Sequence, residues 1–377
     1  MRRVVLLRSN PINPDPAVER IASALAEIGW EVTLVGWDRN GEYDFKEEKL
    51  EIGNKTVRVV RFGIPAIFSG GIKKNLISLV KFEKRLAGWL SDNKNEYDVI
   101  HAFDFDTGFT AKRIAAKYNK GLVYHILDFY AADRFRENST GYKLVRNLEF
   151  SVINVADATI ICTEARKKQI FGSKPVKLEI IHNTPGYTEP SECFELKCNT
   201  DKVKLVYVGC FEDNRFIEEL INCVMADERT ELHIGGFGKN EEYVRESARK
   251  CDRILFYGRL LYEDVLSLEK QCDILTAMYN PVIPNNRYAA PNKLYESMML
   301  AKPVIMCKNT GWDDLISKND IGILIEPTEK GISDGIDTFV KRKEEWREMG
   351  NRAFSIYEKD YSWSVMRNRI QDLYRDL

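Results

Sequence analysis

Three segments in the second half of this 377-residue sequence combine glycine, arginine, lysine and glutamate at spacings that suit a diphosphate and a ribose. In Val206-Tyr-Val-Gly-Cys-Phe-Glu-Asp-Asn-Arg215, Gly209 closes an apolar run and lets an anionic ligand approach the backbone. Arg215 follows at the start of a predicted helix, where its guanidinium could grip phosphate with two parallel bonds. The plain alternative is a turn glycine beside a solvated arginine. Ile234-Gly-Gly-Phe-Gly238 looks like a phosphate loop but lacks dinucleotide spacing, and tight strand-to-helix packing also accounts for its glycines. In Ala290-Pro-Asn-Lys-Leu-Tyr-Glu296 a proline precedes a predicted helix start. The free amides of that first turn, with Asn292 and Lys293, suit a diphosphate, and Glu296 one turn in suits the two hydroxyls of a ribose. A glutamate near a helix start also has a purely structural use.

The first half offers His101 and His125 at the ends of apolar runs, Asp104 and Asp106 after the run Val99–Ala102, and Asp128 in Val123-Tyr-His-Ile-Leu-Asp128. A lone histidine at such a place is commonly structural, and the two aspartates fit caps for a helix beginning near Thr107. Ile67-Phe-Ser-Gly-Gly71 reads as a flexible loop opening a helix that carries Lys73, Lys74, Lys81, Lys84 and Arg85. Its Leu76, Ile77, Leu79, Val80 and Leu86 form either a basic amphipathic face for anionic lipid or, the default, a stripe buried in the core.

Stepping from these residues to the chain that must hold them, short apolar runs alternate with amphipathic stretches throughout. Val4–Leu7, Glu31–Gly36, Val57–Phe62, Val99–Ala102, Leu122–Ile126, Ala158–Cys162 and Glu179–His182 read as strands. Ala17–Ile28, Lys74–Leu90, Thr110–Tyr118 and Ala165–Phe171 read as helices, and Glu149–Val155 is a further apolar stretch. The rhythm breaks at Thr184-Pro-Gly-Tyr-Thr-Glu-Pro-Ser191, a linker by composition. It restarts with strands at Val203–Gly209, Glu231–Ile234, Ile254–Tyr257, Ile274–Ala277, Pro303–Met306 and Gly322–Ile325. Helices at Ile217–Val224, Glu241–Lys250, Tyr262–Lys270 and Asn292–Met299 lie between them. Such alternation predicts parallel sheets covered on both faces, hence two doubly wound, Rossmann-like α/β domains facing across a cleft, with ligands at the strand carboxyl ends.

Composition narrows the function. The 56 basic and 57 acidic residues give a net charge of −1, without the basic excess of a nucleic-acid binder. With 44% apolar and 30% charged residues the chain is globular. Eight scattered cysteines read as free thiols in a reducing compartment, and no cysteine–histidine cluster predicts zinc. Met1-Arg-Arg-Val-Val-Leu-Leu-Arg8 is too short for a signal-peptide core, and no run of about 18 apolar residues exists, so a cytoplasmic protein is expected.

The Ala290–Glu296 segment, followed by Ala301-Lys-Pro-Val304, resembles the donor signature of the retaining, GT-B-fold glycosyltransferases of family 4 (glycosyl transferases group 1). Tyr207–Arg215 looks like the family's phosphate loop, and Tyr257-Gly-Arg-Leu-Leu-Tyr-Glu-Asp-Val265 like its base-binding strand and next helix start. Ser9-Asn-Pro-Ile-Asn-Pro-Asp-Pro16, Ala156–Glu164, Ile180–Asn183 and Tyr361-Ser-Trp363 match further landmarks in the same order. The resemblance implies an acceptor domain over 1–186, a donor domain over 187–360, and a helix over 361–377 crossing back to the first domain. It implies a nucleoside diphosphate sugar as donor, retention of configuration, and neither a cofactor nor a catalytic metal. Asp104-Phe-Asp106 looks like the metal-binding pair of another glycosyltransferase fold. Here the resemblance leaves those carboxylates to cap a helix or bind acceptor hydroxyls, with Asn10 beside them. It assigns Gly209, Arg215, Asn292, Lys293, Glu296 and Arg259 to the donor, and His125 or Asp128 to orienting the hydroxyl or the sugar.

Three positions depart from the family pattern: Cys210 for an arginine, Tyr288 for the first of two acids, and Leu127 for a histidine. They motivate the alternative of a catalytically inactive sugar-nucleotide-binding subunit. A nucleotide-sugar epimerase of the same architecture is another alternative, and a dinucleotide oxidoreductase a distant one. The expected partners are the donor, a glycan or lipid-linked acceptor and an anionic membrane surface.

Overall fold

The structure, a computed structural model, describes residues 2–377 except 54, 68–70, 187, 198 and 199, and excludes the side chains of Ile72 and Lys73. Phe68, Ser69 and Gly70 of the expected loop, the charge of Lys73, and Cys198 thus lie outside the described residues. The chain divides into two units, Met1–Asn183 with Met366–Leu377, and Thr184–Val365.

The first unit carries β1 (Arg3–Leu7), α1 (Pro16–Glu27), β2 (Glu31–Asp38), β3 (Phe45–Ile52), β4 (Lys55–Gly63), α2 (Gly71–Asp92) and β5 (Val99–Phe103). It continues through α3 (Phe105–Tyr118), β6 (Gly121–Ile126), α4 (Tyr130–Arg134), α5 (Thr140–Ile153), β7 (Ala158–Ile161) and β8 (Leu178–Ile180). Its sheet has the order β3-β4-β2-β1-β5-β6-β7-β8, parallel except where β3 pairs antiparallel with β4. Pro16 sits in the first turn of α1, and the Asp15 carboxylate accepts from the amides of Ala17 and Val18 at 3.2 and 3.3 Å. The apolar face of α1, Val18, Ile21, Ala22, Ala24 and Leu25, is buried. On the core side of the sheet, Trp37 stacks on Phe82 of α2 with ring centroids 5.1 Å apart.

The second unit carries β9 (Val203–Cys210), α6 (Ile217–Ala226), β10 (Thr230–Phe237), α7 (Glu241–Lys250), β11 (Ile254–Phe256), α8 (Tyr262–Gln271) and β12 (Ile274–Ala277). It ends with α9 (Asn292–Met299), β13 (Val304–Cys307), α10 (Asp313–Asn319), β14 (Gly322–Ile325), α11 (Glu329–Lys341) and α12 (Trp346–Ile356). Its sheet, β11-β10-β9-β12-β13-β14, is parallel throughout. Gly236, at φ +141°, lies where an added Cβ would come within 1.9 Å of the Gly209 carbonyl, so close strand packing explains this glycine of the Gly-Gly-Phe-Gly run.

The last helix, α13 (Trp363–Arg375), gives its residues from Met366 onward to the first unit. There Met366, Ile370, Leu373 and Tyr374 are buried, and the Gln371 side chain donates to the Ala24 carbonyl at 3.0 Å.

Three expectations are corrected. The 165–171 helix is a short 3-10 turn over Glu164–Lys168. The helix expected from Thr110 begins five residues earlier, at Phe105. The α2 stripe is split: Leu86 is buried and Leu79 partly so, whereas Leu76, Ile77 and Val80 are 53, 74 and 42% exposed.

Candidate active site

In the second unit the strand order reverses between β9 and β12, the switch point where open α/β sheets bind ligands beyond their strand carboxyl ends. Gly209 is the penultimate residue of β9, the loop after that strand carries Arg215, and the loop after β12 carries Tyr279. The Arg215 guanidinium carbon lies 3.7 Å from the Tyr279 ring centroid, and the Asn280 amide donates to the Asn214 carbonyl at 3.2 Å. Among the described residues, Arg215 Nη1 is buried without a hydrogen-bond partner. Desolvation pushes the Tyr279 phenol up, Arg215 and Lys293 pull it back, and Glu296 adds to the rise, so these charges converge on one ring. At Gly209 an added Cβ would meet the nearest described atom, the Tyr207 hydroxyl oxygen, at an ordinary 3.4 Å. Cys210, where the family pattern has an arginine, is exposed.

Asn292 opens α9 and is exposed, and Pro291 at the cap supplies no side-chain acceptor for the first-turn amides. Lys293 departs from the expected role. Its Nζ donates to Glu269 Oε1 at 2.7 Å and to Glu296 Oε2 at 2.5 Å. The side chains of Glu269 and Glu296 are 1 and 2% exposed, so this one cation compensates two buried carboxylates rather than facing outward. Burial raises the Glu269 carboxyl, with Glu296 adding to the rise and Lys293 opposing it. Arg259 is exposed after β11, its guanidinium 4.6 Å from the Phe237 ring centroid.

In the first unit the order reverses between β1 and β5. Arg8, just beyond β1, is a hub: its Nε donates to Asp15 Oδ2 at 3.0 Å and its Nη1 to Asp104 Oδ2. Asn10 donates to Asp15 Oδ2 at 2.6 Å and accepts from the Ile12 amide at 2.8 Å. Asp104 occupies the cap position of α3, yet its carboxylate makes no cap bond. Instead Oδ1 accepts from the amides of Leu127 and Asp128 at 2.8 and 3.0 Å, fixing the loop after β6 to that after β5. Asp106 accepts from the Ser9 hydroxyl at 2.8 Å. The helix-capping expectation for Asp104 is therefore corrected: a buried carboxylate next to Arg8 and two unpaired amides is better satisfied there.

The two candidate catalytic residues sit in different surroundings. Asp128 is 57% exposed at its side chain, and its Oδ1 accepts from buried Arg166 at 3.2 Å. His125 is buried, with Nδ1 3.2 Å from His101 Nε2, while His101 Nδ1 is 2.7 Å from the Tyr374 hydroxyl. Burial drives both imidazoles down, His101 to about 3.

Sequence reasoning missed Arg8, Glu269, Tyr279, Arg39 and Tyr374. Arg39 donates from Nη2 to the Ser9 carbonyl at 3.0 Å and covers Trp37 at 4.6 Å, while its Nε is buried without a partner among the described residues. Its signal was available: it is the first arginine beyond the second strand, on the same side as Arg8.

Residues 189–355 match the family described as Glycosyl transferases group 1, and residues 14–184 match the Glycosyl transferase 4-like domain. The chain belongs to glycosyltransferase family 4. The match over 189–355 contains every donor-side residue named above, and that over 14–184 contains Asp104, Asp106, His125 and Asp128 but not Asn10. Among solved structures, this family 4 glycosyltransferase is similar to sucrose-phosphate synthase from Thermosynechococcus elongatus, at 17% identity and TM-score 0.77, with 100% of this chain and 99% of that one covered. It is similar to HepE from Anabaena in complex with UDP-glucose, at 14% identity and TM-score 0.69, with both chains fully covered. A trehalose-6-phosphate protein from E. coli bound with UDP-2-fluoro glucose aligns at 11% identity and TM-score 0.69, covering 99% and 98%. These likenesses establish the GT-B fold. No curated protein matches at the level of sequence. Among the described residues no helix is long and apolar enough to cross a membrane.

Proposed function

We propose that this family 4 enzyme transfers a sugar, with retention of configuration, from a UDP-sugar to a hydroxyl of a lipid-linked or cell-envelope glycan. The observation that carries the donor half of this reading is the uncommitted Nη1 of Arg215, stacked over Tyr279 at the switch point beside the uncapped first turn of α9. A half-buried guanidinium whose Nη1 is buried and open suits an anion. In this reading the diphosphate lies against Gly209, Arg215 and the amide of Asn292, which stabilise the charge that develops as it leaves. Gly209 supports it, because among the described residues no packed atom demands a glycine there. Glu296, held by Lys293, takes the ribose, and Arg259 lies toward the base. UDP fits this reading because two proteins of similar structure are bound with UDP-sugars.

On the acceptor side, Asn10, Asp104 and Asp106 hold the loops that meet the incoming hydroxyl, which His125 and Asp128 orient. The exposed Leu76, Ile77 and Val80 lie on the same helix as the exposed Lys74, Lys81 and Lys84. That combination favours docking on the anionic inner face of a membrane and hence a lipid-linked acceptor. A cavity of about 530 Å³ continues from Val80 between α2 and α3, lined also by Lys84, Arg113 and Lys117 and by one carboxyl group, that of Glu83. Three cations there suit a phosphate-bearing headgroup.

Thermal unfolding against UDP-, GDP-, ADP- and TDP-sugars tests the donor half. A donor at 100 times its Kd stabilises by about 2.7 kcal/mol. One nucleotide class should stabilise wild type and fail to stabilise Arg215→Ala and Glu296→Ala; no response from wild type sinks the reading. Turnover of donor without acceptor would point to the epimerase instead.

A further inference from the structure

Three buried groups on three elements form a chain in the first unit: the Tyr374 hydroxyl of α13, His101 of β5 and His125 of β6. Among the described residues the Tyr374 hydroxyl has one partner, His101 Nδ1 at 2.7 Å, and His101 Nε2 has one, His125 Nδ1 at 3.2 Å. His125 Nε2 is buried with no partner among the described residues. Burial keeps both rings neutral, so each carries one N–H.

The direction of the chain follows from counting protons. If the Tyr374 hydroxyl donates to His101 Nδ1, the proton of His101 must sit on Nε2 and be donated to His125 Nδ1. The proton of His125 then sits on Nε2, and the chain leaves one unmet group. If the chain ran the other way, the Tyr374 hydroxyl proton would lack an acceptor, and His125 Nε2 would be left with an unmet lone pair. Two unmet groups are worse than one in a buried site.

We infer that Tyr374 and His101 are positioning residues that lock His125 in its Nε2–H tautomer and present a fixed donor at the carboxyl end of β6. This deepens the transfer reading and rests on it for the ligand, a sugar oxygen. A fixed N–H can bond such an oxygen and cannot take a proton from the acceptor hydroxyl, so His125 serves as an orienting donor and not as a base. The ring is held flat for this by Phe103, whose centroid is 4.8 Å away.

The test is nitrogen-15 NMR of the full chain with labelled histidines, the four pairs of ring-nitrogen signals assigned by His101→Asn, His125→Asn, His182→Asn and His233→Asn. In wild type the His125 proton should reside on Nε2. Tyr374→Phe removes only the hydroxyl and keeps the ring against Trp30, 5.1 Å away. It should move the bonded proton to Nδ1 in a large share of His125 while leaving His182 and His233 unchanged. A His125 proton on Nδ1 in wild type overturns the inference, even if the variant fails to fold. Unchanged tautomers in a folded Tyr374→Phe overturn it as well. Because neither readout needs turnover, a failure here is distinct from a failure of the transfer reading.

Discussion

The strand ends of the two units solve the same positional problem in opposite ways. Around Arg8 in the first unit, charges are matched within the protein: Arg8 meets Asp15 and Asp104, and Asp104 in turn holds the backbone of Leu127 and Asp128, although Arg39 Nε nearby has no partner among the described residues. In the second, Arg215 keeps a buried donor open, and the loops around it are set by a ring stack and close glycine packing. A cluster whose charges are already matched asks for no ionic partner. One that keeps a guanidinium open has a place for an anion. The Lys293 triad is the exception in the second unit, a device closed about its cation that fixes Glu296 beside the open one, with Glu269 Oε2 left without a partner among the described residues.

The largest effect should come from opening that closed device. Lys293→Met leaves two carboxylates buried without their cation and should cost about 3–5 kcal/mol in urea unfolding. A loss well below about 1 kcal/mol would mean that water reaches the triad and that the contrast with Arg215 is false. Arg215→Ala should act on catalysis alone. We expect kcat/KM to fall about 100- to 1000-fold, with stability changed by no more than about 1 kcal/mol.

A third effect is read in pH. Glu149 is buried, accepts from the Tyr124 hydroxyl and the Tyr130 and Ala131 amides, and burial raises its carboxyl to about 8. The folded protein therefore keeps a proton that the unfolded chain releases near 4.5. The stability this proton supplies is complete at low pH and is lost as pH rises toward 8, with a slope approaching about 1.4 kcal/mol per pH unit. Glu149→Gln should flatten that slope in unfolding measured from pH 5 to 8; an unchanged slope would show that the first unit is less tightly matched than its contacts imply. The smallest stability effect belongs to the open face of α2. Leu76→Ser with Ile77→Ser should shift stability by less than about 0.5 kcal/mol yet abolish co-sedimentation with phosphatidylglycerol vesicles at low salt. Retained sedimentation would remove the membrane from the reading.

Much of this architecture was legible because an apolar run, then an amphipathic one, is what a buried parallel strand and its covering helix require. Ile274–Ala277, Asn292–Met299 and Gly322–Ile325 emerge with those bounds. Strand β3 was not legible, since Phe45–Ile52 lies at the sheet edge and is mostly charged and exposed. Helices α11 and α12 went unread at the end of the second unit. At the site, residue types pointed to the loops, while pairings across distance left no trace. Lys293 with Glu269 spans 24 positions and His101 with Tyr374 spans 273, and only folding brings them together.

That last pair has a consequence for how the protein is made. During synthesis the ribosome releases residues 1–183 first, but the unit they form is completed by Met366–Leu377. The whole of Thr184–Val365 must emerge in between. The places of Ile370, Leu373 and Tyr374 stay empty through that interval, so the first unit emerges early and matures last.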